Sequence, residues 1–496
     1  MIIDLIAILY ALAVLWLSAY GLNGWILTVL YWRHRRRSCP TPAVPRDQLP
    51  TVTVQLPLYN EAHVAARLID AAAALEYPRD RLEIQVLDDS TDETVRIVDS
   101  RVAFHRQHGV DIRVLRRSER DGFKAGALAR GLKEARGEFI AIFDADFCPR
   151  PDFLLRTVPH LVARPEVGMV QARWSHLNTD YSLLTRVQAL ALDGHFVVEQ
   201  TARSRAGLPM HFNGTAGVWR RSCIEESGGW QSDTLCEDLD LSYRAQIAGW
   251  RLMYLPDVEE PAELPPQILA FKQQQARWAQ GAVQCLRKLS GPLLRSPHLA
   301  LHQKVMGLLH LSGYLAYPLM ILLLLLAPLL SLHPGVLWDP LRLLAPACLG
   351  PLLVYVTSQW ALYPDWVRRL KALPLLVLVG TGVAWSNTLG VARGIARWGG
   401  EMKRTPKFHL EGRRGGWARS RYRLRRDRAV IGEVGLTLYA LVATALAYRS
   451  GDGGSIPFLL LYVAAFGLVA GMSLWEMTLP FRESRSGEVI LPHSSE

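Results

Sequence analysis

A run from Leu5 to Tyr31 carries no charged residue, and Arg33-His34-Arg35-Arg36-Arg37 follows it almost at once. The run exceeds the ~20 residues that a helix needs to cross a bilayer. A secretory signal places its positive charges before the apolar run and a small-residue cleavage site after it; here the order is reversed. Residues 1–32 are therefore expected to form a membrane anchor, with the N-terminus outside and the basic linker 33–50 in the cytoplasm. A wholly soluble enzyme, a disordered chain and a secreted disulfide scaffold are excluded. The cysteines (Cys39, Cys148, Cys223, Cys236, Cys285, Cys348) form no C-x-x-C pair and no metal-ligand spacing, which suits reduced thiols.

Charge is spread unevenly along the rest. Further apolar stretches fall at roughly 306–332, 341–363, 373–392, 432–448 and 456–477. Between Arg393 and Arg428 stand thirteen Lys or Arg against Glu401, Glu411 and Asp427, nearly the whole +11 surplus of the chain. No nucleic-acid recognition module accompanies this basic segment, so nucleic acid is not expected as a partner. Anionic membrane lipid on the cytoplasmic side is. If every apolar stretch crossed, the basic segment would lie outside, against the positive-inside rule. The stretch 373–392 holds Pro374, Gly380, Gly382, Ser386, Asn387 and Gly390, and is the one expected not to cross. Its continuation, 383–403, reads as an amphipathic helix on the cytoplasmic surface. The expected order is two spans in 305–363, an interfacial helix and basic loop in 371–431, two spans in 432–477 and a tail, 478–496. The chain is expected to be integral to a plasma or bacterial inner membrane, with residues 51–260 in the cytosol.

That intervening region alternates strand-like and helix-like segments. Thr51–Leu56, Glu83–Leu87, Ile112–Leu115 and Phe139–Phe143 read as strands; 61–75, Thr91–Gln107 and Lys124–Ala135 read as helices. Such alternation predicts an α/β domain with a mostly parallel, Rossmann-like sheet. Ligands of these sheets bind beyond the carboxyl ends of the strands. Two acidic pairs fall there: Asp88-Asp89 after the second strand and Asp144-Ala145-Asp146 after the fourth. Neither a G-x-G-x-x-G nor a P-loop is present. An Asp-x-Asp at a strand end can hold Mg2+ or Mn2+ against a diphosphate. On an exposed loop the same triplet would be unremarked; its placement after an apolar strand is what carries information.

Gln55-Leu-Pro-Leu-Tyr-Asn-Glu61, Val86-Leu-Asp-Asp-Ser-Thr-Asp92, Gly122-Phe-Lys-Ala-Gly-Ala127, Phe143-Asp-Ala-Asp-Phe147, Phe212-Asn-Gly-Thr-Ala-Gly217, Glu237-Asp238 and Gln274-Gln-Ala-Arg-Trp278 stand in this order. The set resembles inverting family 2 glycosyltransferases of the cellulose-synthase superfamily, which carry a GT-A domain between transmembrane helices. Val170-Gln-Ala-Arg-Trp174 and Asn213-Gly-Thr-Ala-Gly-Val-Trp219 are most similar to the cellulose-synthase-like A and C groups. The resemblance implies transfer of a hexose from GDP-mannose or UDP-glucose to a growing β-1,4-linked (gluco)mannan or glucan. The alternative is a non-processive transferase that glucosylates a membrane lipid, so the acceptor is polysaccharide or lipid-linked.

Under this resemblance Tyr59 and Glu61 border the nucleotide, and Asp89, with Asp88 beside it, accepts from a base N–H. Lys124 offers a point charge to a diphosphate oxygen, and Asp144 and Asp146 supply the metal site. An inverting transfer needs a carboxylate that takes the acceptor proton. Asp238, in an acidic loop ahead of a helix at 239–248, fits that role. The family pattern Thr-Glu-Asp has Cys236 in place of Thr here, while Asp240 reads equally well as part of an exposed loop. Gln274, Arg277 and Trp278, in the interfacial segment 261–304, share one helix face by their i, i+3, i+4 spacing. The resemblance assigns Trp278 to stacking on the acceptor sugar. Arg404-Thr-Pro-Lys407 is similar, imperfectly, to the family's gating loop; a plain lipid-binding loop is the other reading.

Overall fold

The computed structural model describes residues 1–480 apart from Ser38 and 334–338, and apart from the side chains of 339–342. Residues 481–496, most of the expected tail, lie outside the described residues. The soluble part is built on a seven-stranded sheet of order β3-β2-β1-β4-β6-β5-β7. Its strands are β1 (Val52–Leu58), β2 (Leu82–Asp88), β3 (Ile112–Leu115), β4 (Phe139–Ile142), β5 (Val167–His176), β6 (Gly217–Arg220) and β7 (Arg251–Ala262). Strands β1 to β4 pair in parallel, as the sequence predicts. Only β6 runs antiparallel, to both β4 and β5, so the sheet is mixed but mostly parallel.

Strand β1 is central and nearly all buried, because helices cover both faces of the sheet. Apolar residues of β1, β2 and β4 enter two cores, one on each face. The polar side chains in these strands are paired within the sheet; Thr53 Oγ1 donates to Glu83 Oε2 at 2.7 Å. After β1 the chain builds outward to β2 and β3, then returns to place β4 on the other side of β1. This reversal opens a crevice at the carboxyl ends of β1 and β4, where such sheets bind ligands.

Among the described residues five helices are long and apolar enough to cross a membrane: Ile2–His34, Gly313–Ser331, Leu343–Leu362, Ala429–Arg449 and Ile456–Thr478. They coincide with the stretches expected to span. Leu12, Leu15, Val29, Leu438, Val442 and Phe458 face outward, as lipid-facing positions do. The first helix packs closely on the third through small residues: a Cβ on Gly350 would lie 1.9 Å from the Gly21 carbonyl oxygen. Without a hydrophobic drive between helices in lipid, such close backbone packing is what joins them.

The stretch expected not to cross forms a bent pair, Trp366–Gly382 and Ala384–Ala396, with a 42° angle between its halves. Its second half packs Gly390 and Gly394 on the Ile268–Arg295 helix and ends at Ala396, short of the predicted 403, because Arg397 turns extended and Gly399 and Gly400 take positive φ. A Cβ at Gly390 would sit 2.3 Å from the Ala276 carbonyl oxygen. The basic segment beyond lies on the α/β domain: Tyr422 bonds Asp92, His409 Nδ1 lies 2.9 Å from the His63 carbonyl, and Phe408 N donates to Glu263 at 2.6 Å. Segment and domain therefore share one side of any bilayer these helices cross. Gly416 in this segment is exposed, with no atom within 4 Å of the point where a Cβ would stand, so it accepts a label without disturbance. A Gly416→Cys variant in a cysteine-free background is expected to react with impermeant maleimide only after the membrane is opened. Labelling in intact cells would invert the topology.

Candidate functional site

The crevice is walled by the ends of β1, β2 and β4, by the start of the Glu237–Ile247 helix, and by the Ile268–Arg295 helix. Tyr59 and Glu61 leave β1 into it. The Arg120 guanidinium stacks on Tyr59, its carbon 3.3 Å from the ring centre. Glu61 is crowded by Asp144 and Asp146 and lies 3.7 Å from Arg404. Burial is the main force on it and raises its pKa to about 8, with Arg404 opposing.

The two acids at the end of β2 part ways: Asp88 closes the strand and Asp89 follows it. Asp89 lines the crevice, and Arg117 holds its carboxylate in a two-pronged contact. Asp88 is buried, takes Arg116 and the Ser90 amide, and does not reach the crevice. Successive strand residues point to opposite faces, so one of the two had to turn away.

Asp144 and Asp146 both open onto the crevice. Lys124 Nζ lies 2.6 Å from Asp144 Oδ1 and 3.5 Å from Glu237, and donates to the Gly214 carbonyl at 2.9 Å. Burial raises the Asp144 pKa, against the pull of Lys124. Lys407, from the basic segment, pairs with Asp146. Among the described residues no group of three His, Cys, Asp or Glu could enclose a metal ion. Two carboxylates that share an open face with lysines fit a different arrangement. A hard divalent cation is commonly held by one or two carboxylates, with phosphate oxygens and water filling its shell. The residues present fit that mode.

Asp238 faces this pair from across the crevice. The sequence places it in a loop, but the helix starts at Glu237, so Glu237, Asp238 and Asp240 occupy its first turn. Carboxylates are favoured there by the unpaired amides and the helix dipole. A Cβ on Gly214 would lie 3.0 Å from Asp238 Oδ2 and 3.3 Å from Lys124 Nζ, and Gly214 has φ +83. Any side chain at this position would be strained and would fill the gap between the Asp238 carboxylate and the Lys124 ammonium. Burial first, then the Glu237 charge, pushes the Asp238 pKa up to about 7. Asp240 is fully buried and neutralised by Arg244 at 2.7 Å and Lys288 at 2.9 Å. Its exposed-loop reading is wrong because the helix turns it inward. Cys236 is also buried, which raises its thiol pKa, and its Sγ lies 4.0 Å from the Trp278 carbonyl.

Gln274, Arg277 and Trp278 share the crevice face, as their spacing predicts. They sit mid-helix, because the helix begins earlier, at Ile268. Arg277 and Gln273 also hold the basic segment, donating to the carbonyls of Lys403 at 2.9 Å and Arg404 at 3.0 Å. Arg404, Thr405 and Lys407 line the crevice, which favours a loop over the site against a loop lying on lipid. Arg120, Trp174 and Asn213 line it too. The last two stand in motifs quoted for resemblance alone, and Arg120 stands in no motif.

The crevice thus gathers carboxylates at the carboxyl ends of a mostly parallel sheet and sets Lys124, Arg404 and Lys407 beside them. The sequence model of the family described as "Glycosyltransferase like family 2" matches residues 50–281. Glucomannan 4-beta-mannosyltransferase 2 of Arabidopsis thaliana is 42% identical over 290 residues, covering 56% of this chain and 54% of that protein. Glucomannan 4-beta-mannosyltransferase 1 of Oryza sativa subsp. japonica is 45% identical over 271 residues, 53% of this chain and 51% of that protein. The chain thus spans about half the length of these relatives. Among solved structures, the mannosyltransferase PcManGT from Pyrobaculum calidifontis, in complex with GDP-Man and Mn2+, is similar over 72% of this chain and 100% of its own. Its identity is 26% and its TM-score 0.49.

Proposed function

We propose that the protein is a membrane-embedded inverting hexosyltransferase that adds a hexose from a nucleotide sugar, GDP-mannose or UDP-glucose, to a growing β-1,4-linked glycan. The observation that carries this reading is Asp238, with a pKa raised to about 7, facing Lys124 and the Asp144–Asp146 pair across one crevice. The similarity to glucomannan 4-beta-mannosyltransferases supports mannose as the first donor to test.

In this reading Tyr59 and Asp89 bound the nucleoside, and Lys124 meets the diphosphate once the donor draws it from Asp144. Asp144 and Asp146 would hold Mg2+ or Mn2+, which when bound offsets charge on the departing diphosphate. Trp278 offers an aromatic face to the acceptor sugar and fixes its approach. Asp238 takes the proton of the acceptor hydroxyl as that oxygen attacks the anomeric carbon. The bond from the anomeric carbon to the diphosphate oxygen breaks with its electron pair on that oxygen. Attack from the face opposite the leaving group turns an α-linked donor into a β-linked product. Arg404, Thr405 and Lys407 close the crevice over the donor, and the Lys407–Asp146 pair must open for a cation to enter. Membrane lipid surrounds the apolar helices, and the catalytic domain faces the cytosol, where nucleotide sugars are made.

The test is product size. Membranes holding the protein are expected to convert labelled GDP-mannose or UDP-glucose into a water-soluble or particulate polymer. A label found only in a solvent-extractable lipid carrying one or two sugars would overturn the polymerase reading.

A further inference from the structure

The helix that begins at Leu183 changes to a π-helical stretch over Gly194–Gln200 before it resumes at Thr201. Such stretches are rare, and they are frequent at functional sites. Gly194, Phe196, Val197, Val198 and Gln200 are buried here, so only His195 and Glu199 are partly open. His195 Nδ1 lies 2.9 Å from Glu199 Oε2, and His195 Nε2 lies 3.0 Å from Asn213 Nδ2. The same amide nitrogen reaches His211 Nε2 at 3.0 Å, while Asn213 Oδ1 accepts from Gln200 at 2.7 Å. An amide that donates to both imidazoles leaves each with its proton on Nδ1, so His195 donates to Glu199.

Asn213 and Gly214 line the crevice beside Asp238. Glu199 is therefore two hydrogen bonds from the reaction centre, through His195 and Asn213. On its other side the π stretch meets one of the candidate membrane helices: a Cβ on Gly194 would lie 2.7 Å from the ring of Tyr355, in the Leu349–Leu362 helix. Glu199 keeps 35% of its side chain open, and its Oε1 has no hydrogen bond among the described residues. An ionised carboxylate only accepts hydrogen bonds. It repels the donor diphosphate and suits a neutral, hydroxyl-rich ligand.

We propose that Glu199, held in place by His195, accepts hydroxyl groups of the acceptor saccharide behind the unit being extended. It is a specificity residue of the acceptor side, assigned on the function proposed above. His195 and Glu199, four positions apart, share one side of the π stretch, between Asn213 at the crevice and the Leu349–Leu362 helix.

The experiment varies a short β-1,4-linked oligosaccharide acceptor against the full-length protein in detergent, at saturating donor. Glu199→Gln keeps the shape and can still accept from His195, but its outer atom becomes an N–H donor. The acceptor KM is expected to rise about tenfold or more, the scale for a hydrogen bond to a charged group. Donor KM and donor hydrolysis without acceptor should stay unchanged, which also shows that the variant folds. Glu199→Asp, which keeps the charge, is expected to recover part of the loss. An unchanged acceptor KM in Glu199→Gln, or a fall in kcat alone, would overturn the assignment and leave Glu199 a strut for Asn213. Wild-type protein that extends no saccharide with either donor would sink the parent reading, and this one with it.

Discussion

Asp238→Asn is expected to lower turnover by about 10²–10⁴-fold while the nucleotide sugar still binds, since that is the range general base catalysis contributes. Asparagine fills the same space on the first turn of the helix but cannot take a proton. The neighbouring acids offer no ready substitute. Asp240 is locked to Arg244 and Lys288, and Glu237 is buried at 3.5 Å from Lys124. The pH dependence follows from the same group. Burial and Glu237 raise the Asp238 pKa to about 7, so the active, deprotonated form is depleted below that pH and complete above it. The wild-type kcat/KM is expected to climb with pH and level off above about 7, and the residual rate of the variant to lose that rise. Initial rates across the range check both at once. Near-normal turnover in Asp238→Asn would move the base to Glu237.

Asp144→Asn or Asp146→Asn is expected to weaken metal-dependent binding of GDP or UDP by at least ~10–100-fold, the loss that disturbing a ligand's support alone commonly brings. Each change removes one of two carboxylates on the open face and takes from Lys124 or Lys407 its nearest carboxylate. Titration of the nucleoside diphosphate with and without Mn2+ measures it, and excess chelator should reproduce the effect in the wild type. The variants should retain the weaker, metal-independent affinity given by Lys124 and the nucleoside contacts. Full activity in excess chelator would remove the metal from the mechanism.

The sequence made the strand ends legible because β1 and β2 read as short segments rich in Val, Leu and Ile, β4 as an unbroken apolar run, and acids stand where they stop. It did not show which acid of a pair would face the crevice. Asp88 and Asp89 look alike in a row, and only the pleat, with Arg116 and Arg117 waiting on different sides, separates them. Helix starts were read late: the loop placed before residue 239 is already helix at Glu237, and Gln274 sits well inside a helix that begins at Ile268. Neither start carries a side-chain cap that would have marked it. The antiparallel β6 was hidden because a strand of four residues, the first a glycine, gives no period to read. Least legible were contacts made at long range. Nothing local says that Lys407 would meet Asp146, that Glu263 would fasten the Phe408 amide, or that Arg120 would lie on Tyr59. The membrane helices were the reverse case, since charge-free length alone marks them.

The central claim is inverting transfer of a hexose onto a β-linked chain, and linkage analysis of the product tests it most directly. Purified protein in vesicles would be given labelled GDP-mannose or UDP-glucose with Mn2+, and the product digested with endo-β-1,4-mannanase or endo-β-1,4-glucanase. The account predicts a chain that grows as nucleoside diphosphate is released, that one of these enzymes cuts to short oligosaccharides, and that Asp238→Asn does not make. An α-linked product, or sugar found only on lipid, would contradict it.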